Sequence, residues 1–484
     1  MANTKVTKAT NKVAEKKRDV AVSKSHTGFP FFVTLFVAFV TFVFAFHPPR
    51  ENSMLTKLEI RNFKAFGEHT AFDLRPLTIF LGSNASGKSS VLEAIGLLSQ
   101  SAPRAEQKPQ LKWRDRLVDL GPTGMSAVHK LDQEVHFWSS LEIEAGEHFR
   151  NWLRPREDES GGAAQTLGYG IGHRPGTEEW KHELSINRKV VASNSTIRLG
   201  RGLRHTGHGS VLECDFLPPS ERVFEPAASG DAALAPKLFV GTKAVGGKEV
   251  DEASHRKFIQ FGLYTSFIGA YLRQRVFMVG PSRIPRREVP EIEAGPLAVG
   301  RSGERTITVL SVIFSHARHA AQARKIQTWA EVFGMSSLTA GWVREEFLHA
   351  GYLDSCCEAP MSIESAGAGA QQILPVITQI FSAPKNSAIL IEEPEAGLHP
   401  EAQTEVAKMF ADALQQGQQL LVATHSEALL KALGEISKKM NLLRDDDVAI
   451  YRLSKAPSGV KAERLSLETA ESKSEPDARS FTTA

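Results

Sequence analysis

Cysteine is scarce in this 484-residue chain: only Cys214, Cys356 and Cys357 occur. They form no C-x-x-C pair, and adjacent cysteines rarely bridge each other, so the sequence argues against a disulfide scaffold or a structural zinc site. The sequence also lacks a marked excess of one charge, because it has 58 Lys and Arg residues and 55 Asp and Glu residues. The net charge of +3 demands no nucleic-acid partner, so any basic surface must be local.

Apolar runs typical of buried strands alternate with helical patterns at both ends of residues 54–455. The predicted buried strands are 77–81, 388–391, 420–423 and 448–453, and the predicted helices are 89–98, 372–381, 401–415 and 427–433. This alternation predicts a parallel α/β sheet, preceded by a short antiparallel pair at residues 58–74. Between the two ends, residues 135–211 predict strands and hairpins, and residues 306–333 and 342–350 predict helices.

A glycine-rich loop lies between the first buried strand and the first helix. Residues 82–89 fit the pattern G-x-x-x-x-G-K-[ST] in the strand–helix context that this motif needs. Its backbone N–H groups are expected to wrap phosphate, Lys88 to reach the β- and γ-phosphates of ATP, and Ser89 to give its hydroxyl to Mg²⁺. The predicted phosphate-binding residues are Gly82, Ser83, Asn84, Ala85, Ser86, Gly87, Lys88, Ser89 and Ser90.

Two carboxylates end the buried strand at 388–391. Glu392 is predicted to hold Mg²⁺ and Glu393 to polarise the attacking water. His425 follows the next buried strand, where an imidazole can both donate and accept a hydrogen bond near the γ-phosphate. We therefore predict Glu393, His425 and Lys88 as the catalytic residues.

A second glycine-rich segment, residues 364–375, opens a helix. Backbone amides at a helix N-terminus suit a phosphate, whereas the other interpretation is a flexible hinge. The candidate nucleotide contacts in this segment are Gly367, Gly369 and Gln371.

Taken together, these motifs resemble those of the ABC-type ATPases of the RecF, SMC and OLD kind, which are broadly labelled AAA family ATPases. The resemblance rests on Lys-Leu-Glu-Ile-Arg-Asn-Phe-Lys at 57–64, the phosphate loop, Glu-Glu-Pro-Glu-Ala-Gly-Leu-His-Pro at 392–400, and Thr-His-Ser-Glu at 424–427. Residues 279–286 and 299–304 also resemble the stretch that such proteins carry before the signature motif. The resemblance implies a P-loop NTPase fold of the ABC-ATPase type, with ATP and Mg²⁺ as cofactors and the nucleotide sandwiched in a head-to-tail homodimer.

By the same resemblance, each motif has a role. Residues 82–89 correspond to Walker A, 389–393 to Walker B, 367–372 to the signature loop, 395–400 to the D-loop and His425 to the switch histidine. Two departures stand out. Gln371 replaces a Ser that relatives often carry, and Glu392 replaces the Asp that is usual in transporter ATPases.

A large α+β insert is predicted between Walker A and the signature, because Lys88 and Glu392 are 304 positions apart. Neither a transporter signature nor a long coiled-coil arm is present. The predicted divisions are a basic extension (1–53), an ATPase lobe with Walker A (54–130), an insert that is first β-rich and then helical (131–360), a lobe with the signature, Walker B and His425 (361–455), and a polar tail (456–484).

Two clusters of arginines in the insert do not decide whether it binds DNA. They comprise Arg198, Arg201 and Arg204, and then Arg273, Arg275, Arg283, Arg286 and Arg287. Each could contact DNA, or be a solvated surface, or in the second cluster support the nucleotide site. The chain after residue 455 is too short for the metal-binding nuclease domain of OLD-type proteins. The resemblance to RecF, SMC and OLD proteins implies an ATPase in DNA maintenance or phage defence, and the short tail implies a separate nuclease or other effector.

Residues 1–53 differ from the rest. A lysine-rich stretch precedes residues 28–46, which carry no charge and include eight Phe, just enough length to cross a bilayer as a helix. The positive-inside rule would keep the lysine-rich N-terminus in the cytoplasm, so a single span would place everything after Arg50 on the other side of the membrane. This conflicts with a predicted ATPase, because ATP is cytoplasmic. The other interpretation is an upstream extension before a domain that begins at Met54. The expected location is thus the cytoplasm, with a membrane-tethered switch that recruits a protein as the alternative.

Overall fold

A computed structural model describes residues 53–102, 110–144, 164–177, 180–186, 189–194, 212–213, 223–224, 267–286, 297–343, 347–354, 359–440, 445–457 and 459–466. Two units are distinguished, residues 1–48 with 191–264 and residues 49–190 with 265–484. Of the first unit, the structure describes residues 191–194 and two paired two-residue strands. The apolar run 28–46 and the arginine cluster 198–204 lie outside the described residues. Among the described helices, none combines the length and apolarity that a membrane crossing needs.

The strands and helices are numbered in chain order. The strands are β1 (Met54–Arg61), β2 (Thr70–Asp73), β3 (Leu77–Leu81), β4 (Val135–Glu144), β5 (Ala164–His173), β6 (Trp180–Ile186), β7 (Lys189–Asn194), β8 (Leu212–Glu213), β9 (Val223–Phe224), β10 (Val276–Val279), β11 (Ser336–Val343), β12 (Phe347–Leu353), β13 (Met361–Ser362), β14 (Ala388–Glu392), β15 (Gln419–Thr424), β16 (Val448–Ala456) and β17 (Gly459–Leu465). The helices are α1 (Lys88–Gln100), α2 (267–275), α3 (Thr306–Ser315), α4 (Ala320–Val332), α5 (Ala368–Ser382), α6 (Pro400–Gln415) and α7 (Glu427–Met440).

The central sheet is parallel, as the alternation of strands and helices predicts. Its order is β10-β14-β15-β3-β16-β17, and only β17 runs antiparallel to its neighbour. Every residue of β3, β14 and β15 is buried. Such uninterrupted burial is typical of parallel strands that are covered on both faces. The fold is therefore a P-loop NTPase α/β fold, with the strands that carry the motifs at its centre.

A second sheet is antiparallel and begins with the predicted pair β1–β2. Its order is β2-β1-β4-β5-β6-β7. The Gln419 side chain joins it to the central sheet, because its amide oxygen accepts from Leu55 N–H and its amide nitrogen donates to Leu55 C=O, at 2.9 and 2.7 Å. Phe72 adds a buried aromatic contact with Phe80 and Tyr451 of the central sheet. The first strand is thus anchored in the ATPase core.

The helix predicted at 342–350 is wrong, because these residues belong to a hairpin of β11 and β12. Trp342 pairs with Leu348 and Val343 with Phe347 across the two strands. Leu348 and Ala350 point into the core that α3 and α5 share. Alternate burial and a cross-strand partner therefore decide the conformation of a segment whose local pattern is ambiguous.

Strand β17 was not predicted, since the sequence analysis ended the last strand at 453. Its residues are largely polar and half-buried or exposed, so the segment lacks the apolar run that marks a buried strand. It forms because its backbone pairs with β16 from Gly459 opposite Ala456 to Leu465 opposite Ile450. Edge pairing, not burial, therefore extends the central sheet here.

Candidate nucleotide-binding site

The candidate site lies at the carboxyl edge of the central sheet. Strands β14, β15 and β3 are neighbours, and each is parallel to the next. Glu392 ends β14 and Glu393 follows it, His425 follows β15, and the glycine-rich loop 82–89 follows β3. Because parallel strands finish at the same edge, the fold brings together three motifs that are far apart in sequence.

The glycines of the loop are required by its backbone. Gly82 has φ +153°, and a Cβ there would collide with Leu453 O and with Ser86 Oγ. Gly87 has φ +102°, and its Cβ would lie 3.0 Å from Val460 Cγ2. Both positions combine a conformation that L side chains rarely adopt with a lack of space for one. A larger residue at either position would therefore open the loop.

The loop presents its backbone donors to an anion. Helix α1 begins directly after Gly87, and no side chain caps its first turn, so the N-terminal N–H groups are available. The hydroxyl of Ser86 is buried without a hydrogen-bond partner among the described residues. Ser83, Asn84, Ala85 and Ser89 are exposed at the loop surface, and Ser90 is buried. This donor-rich cradle fits a polyphosphate.

Lys88 is the buried cation of the loop. Its Nζ donates to the carbonyl oxygens of Gly82 at 2.8 Å and of Ser83 at 2.9 Å. Burial lowers its pKa, and the charges of Glu393, Glu395 and Glu392 oppose that lowering. The side chain is therefore held over the loop, within electrostatic reach of all three carboxylates.

Glu392 is buried at the end of β14 and is paired with a cation. Arg301 Nη2 donates to Glu392 Oε1 and to Glu93 Oε1, each at 3.1 Å. The second oxygen of Glu93 pairs with Lys64. Arg301 lies in residues 299–304, which resemble the stretch before the signature motif, a resemblance that assigns this arginine no role. These cations offset the negative charges of two acidic side chains that are almost fully buried.

A magnesium ion fits the residues predicted to hold it. Mg²⁺ usually takes one or two protein ligands together with substrate phosphates and water. The exposed hydroxyl of Ser89 and the carboxylate of Glu392 are such ligands. Within the described ranges, no group of three or more His, Cys, Asp or Glu side chains could hold a metal ion. Two protein ligands would leave the other coordination positions of the ion to phosphate oxygens and water.

Glu393 has an unusual backbone. Its φ is +47°, the left-handed region, which a residue with a side chain keeps only when its surroundings enforce it. Its N–H donates to Ala423 O at 2.8 Å, and Arg283 Nη2 donates to its carbonyl at 2.9 Å. These bonds turn the chain sharply after β14 and leave the Glu393 carboxylate partly exposed.

His425 stands between two carboxylates. Its Nδ1 lies 3.8 Å from Glu393 Oε1 and 3.7 Å from Glu395 Oε1. Glu395 is nearly buried, and its Oε1 accepts from the Thr424 hydroxyl and from His425 N–H. Its Oε2 is buried without a partner in the described part of the chain. The sequence analysis named Glu395 only as the start of the D-loop, so it missed this contact with the histidine.

The signature segment packs against the D-loop. A Cβ on Gly369 would lie 2.8 Å from Gly397 O, so the two backbones touch. Gly397, at φ +74°, approaches Ala368 in the same way. Gly367 has open space around it. The Gln371 amide donates to Glu364 O at 2.8 Å and to Ala366 O at 3.1 Å, so this side chain closes its own loop.

Comparison with known families agrees with the motifs. A family of AAA domains, described with AbiEii-type toxins of type IV toxin–antitoxin systems, matches residues 260–431. A second family, described as an AAA ATPase domain, matches residues 54–144. The first match spans the signature, Walker B and His425, and the second spans Walker A. No curated protein matches the sequence.

Solved structures with a similar chain path include three SMC heads. The Smc head bound to the C-winged helix domain of ScpA has 12% identity and a TM-score of 0.41, covering 87% of this chain and 99% of that chain. The SMC head domain from Thermotoga maritima has 9% identity and a TM-score of 0.38, covering 85% and 99%. The Smc head with an extended coiled coil bound to the C-terminal domain of ScpA, derived from Pyrococcus furiosus, has 12% identity and a TM-score of 0.38, covering 87% and 98%.

The two matched segments, residues 54–144 and 260–431, contain the motifs that meet at one edge of the central sheet. The loop 82–89 lies on one matched segment, and residues 367–372, 389–393 and His425 lie on the other. Both segments match models of AAA domains, which together with the motifs supports an AAA ATPase of the ABC type.

Proposed function

We propose that the chain binds Mg·ATP at residues 82–89 and hydrolyses it slowly. Lys88 and the loop amides hold the β- and γ-phosphates, and Ser89 and Glu392 serve the magnesium ion, which when bound neutralises phosphate charge. Glu393 polarises the attacking water as general base. His425, beside Glu393, hydrogen-bonds the γ-phosphate.

One observation carries this proposal. Glu393 is turned by a left-handed backbone at the carboxyl edge of β14, and its carboxylate lies 3.8 Å from His425 Nδ1. Lys88 is close enough for the same carboxylate to act on its pKa. A general base beside a histidine and a phosphate-binding lysine is the arrangement that hydrolysis of the γ-phosphate needs.

We further propose a head-to-tail homodimer formed around ATP. The Gly-rich start of α5 packs on the D-loop through Gly369 and Gly397, so the two elements form one surface. In the family that the chain resembles, these two elements face the partner's nucleotide. The Gln371 amide is already bonded within its loop, so Gly367 and the free N–H groups of α5 are the better candidates for that contact.

The biological output that we propose is DNA maintenance or phage defence through a separate effector in the cytoplasm. The toxin–antitoxin description of one matched family favours defence. Direct DNA contact is less well supported, because Arg283 of the second arginine cluster is fully buried, and Arg273 and Arg275 donate to main-chain carbonyls. A DNA mobility shift that weakens steeply with salt would favour DNA binding over a membrane-tethered switch that recruits a protein.

The test of ATP hydrolysis is Lys88→Ala with Lys408→Ala as its control. Lys408 forms an exposed pair with Glu405 on α6, so its loss should leave ATP binding and hydrolysis unchanged. Lys88→Ala should abolish hydrolysis and the ATP-dependent increase in mass that light scattering detects. Equal hydrolysis or dimerisation in both variants would show that the loop is not the nucleotide site.

A further inference from the structure

Arg283 is the largest side chain that is fully buried in the described residues. It follows β10, and the acceptors of its guanidinium in the described part of the chain are main-chain carbonyls. Nε donates to Gln372 at 2.7 Å, Nη1 to Gly280 at 2.8 Å and to Glu392 at 2.7 Å, and Nη2 to Glu393 at 2.9 Å. Its own N–H donates to Gln372 Oε1 at 3.1 Å. One guanidinium thus joins three separate segments of the chain.

Two of these segments matter for catalysis. Gln372 is the last residue of the signature loop and lies in the first turns of α5, while Glu392 and Glu393 end Walker B. The arginine therefore spans from the signature helix to the carbonyls on either side of the left-handed turn at Glu393. A shift of the first turn of α5 would be passed to Glu393 through this planar group.

The charge of Arg283 is tolerated at this depth because several acidic residues lie near. Burial lowers its pKa to about 10, and the charges of Glu395, Glu393 and Glu392 oppose that lowering. The guanidinium therefore stays protonated at neutral pH and remains a donor. No lysine could replace it, because an ammonium group is a point donor that cannot span carbonyls lying on two sides of a plane.

We propose that Arg283 is the positioning residue that couples the signature helix to Glu393. This inference rests on the proposed ATPase function and on the assignment of Glu393 as general base. When a second subunit's nucleotide engages the signature loop, Arg283 carries the resulting adjustment of α5 to the Glu393 turn. Turnover would then depend on Arg283, whereas the binding of ATP to the phosphate loop would not.

The experiment compares Arg283→Lys with Arg275→Lys. Arg275 precedes β10 at the opposite edge of the sheet, and it too donates to a main-chain carbonyl, that of Lys385. Calorimetry measures ATP affinity, steady-state assays measure turnover, and thermal melting reports folding for both variants. A second pair, Glu393→Gln with and without Arg283→Lys, tests whether the two residues act on the same step.

We expect Arg283→Lys to bind ATP within about threefold of the unmodified chain and to turn over about 10- to 100-fold more slowly, as a small misplacement of a catalytic group would cause. Arg275→Lys should keep its turnover. In the Glu393→Gln background, Arg283→Lys should have no further effect, because the group that it positions is already disabled. A merely structural role would lower affinity and turnover together and would add to the Glu393→Gln effect.

Three results would overturn the inference: unchanged turnover in Arg283→Lys, an equal loss in Arg275→Lys, or an additive loss with Glu393→Gln. If Arg283→Lys does not fold, Gln372→Met is tested by the same criteria, because it removes the side-chain oxygen that accepts from the Arg283 main-chain N–H and so loosens the contact between Arg283 and α5. Lys88→Ala distinguishes a failure of the proposed ATPase site from a failure of the coupling through Arg283. Hydrolysis that survives Lys88→Ala refutes the ATPase site itself, whereas hydrolysis that requires Lys88 but not Arg283 refutes only the coupling.

Discussion

Arg301 Nη2 lies 3.1 Å from Oε1 of Glu392, the carboxylate that we expect to serve the magnesium ion. The same nitrogen is 3.1 Å from Oε1 of Glu93. Both carboxylates are almost fully buried, while a third of the arginine side chain is exposed. The guanidinium of Arg301 therefore neutralises the two buried carboxylates, as a bound metal cation would otherwise do.

We predict that Arg301→Gln makes the folded chain depend more on Mg²⁺. Without the guanidinium, Glu392 loses its cation, which should lower the free energy of unfolding by about 1–3 kcal/mol. A divalent cation bound with ADP can replace the lost charge, so Mg·ADP should raise the melting temperature more in the variant than in the unmodified chain. Melting curves with and without Mg·ADP measure this difference.

The control for Arg301 is Arg114→Gln, because Arg114 pairs with Asp119 on the surface with both side chains largely exposed. Such pairs contribute little, so both melting temperatures should stay close to those of the unmodified chain. An equal Mg·ADP stabilisation in Arg301→Gln and in the control would show that the arginine does not substitute for the cation.

Glu393→Gln and Glu392→Gln should separate the two adjacent carboxylates by role. Gln at 393 keeps the size of the side chain but cannot polarise water, so turnover should fall about 10²–10⁴-fold while ATP still binds. Gln at 392 weakens the Mg²⁺ site, so nucleotide affinity should fall together with the rate. Calorimetry and steady-state hydrolysis, measured side by side, test this. Near-normal hydrolysis by Glu393→Gln would place the general base elsewhere.

Glu395→Gln should slow hydrolysis without weakening ATP binding. The carboxylate accepts from Thr424 and from His425 N–H, and it lies 3.7 Å from the imidazole. An amide keeps the size but removes the charge that orients the ring, and we expect turnover to fall about tenfold, equivalent to about 1.4 kcal/mol. The exposed Glu401→Gln on α6 serves as control. Equal rates for the two variants would remove Glu395 from the site.

Asp412→Asn should destabilise the contact between α4 and α6. Asp412 accepts from Lys325 Nζ at 2.8 and 2.9 Å and from Trp329 Nε1 at 2.8 Å. Burial raises the pKa of Asp412, but hydrogen bonds from Lys325, Trp329 and Gln416 outweigh it, so the net shift is downward. We expect urea unfolding at pH 7 to show a loss of about 1–3 kcal/mol.

The downward shift of the Asp412 pKa determines how the loss of stability in Asp412→Asn depends on pH. Because the carboxylate has a lower pKa in the folded chain, its contribution is full above the ordinary value near 3.8 and is lost as pH falls through the folded value. The difference between Asp412→Asn and the unmodified chain should therefore shrink below about pH 4. Glu405→Gln, which removes an exposed pair with Lys408, should show no such trend. A difference independent of pH would mean that packing, not charge, explains the loss.

Local sequence determined the phosphate loop and the buried strands. Gly82 and Gly87 mark positions where a side chain would be strained, and β3, β14 and β15 are mostly apolar runs of a kind that needs cover on both faces. Both signals depend on neighbouring residues in the chain. For that reason the α/β sheet and Walker A could be predicted without any tertiary information.

The tertiary structure decided the rest of the site and two of the strands. Arg283, Arg301 and Glu395 lie in stretches that resemble family motifs, but their individual contacts depend on partners that lie 29 to 110 positions away. The hairpin at 336–353 and the polar strand β17 likewise depend on a neighbouring strand. Local sequence indicates which secondary structure a segment prefers and whether it is buried. A buried charge or a polar edge strand is instead stabilised by groups distant in sequence, which only the folded chain brings into contact.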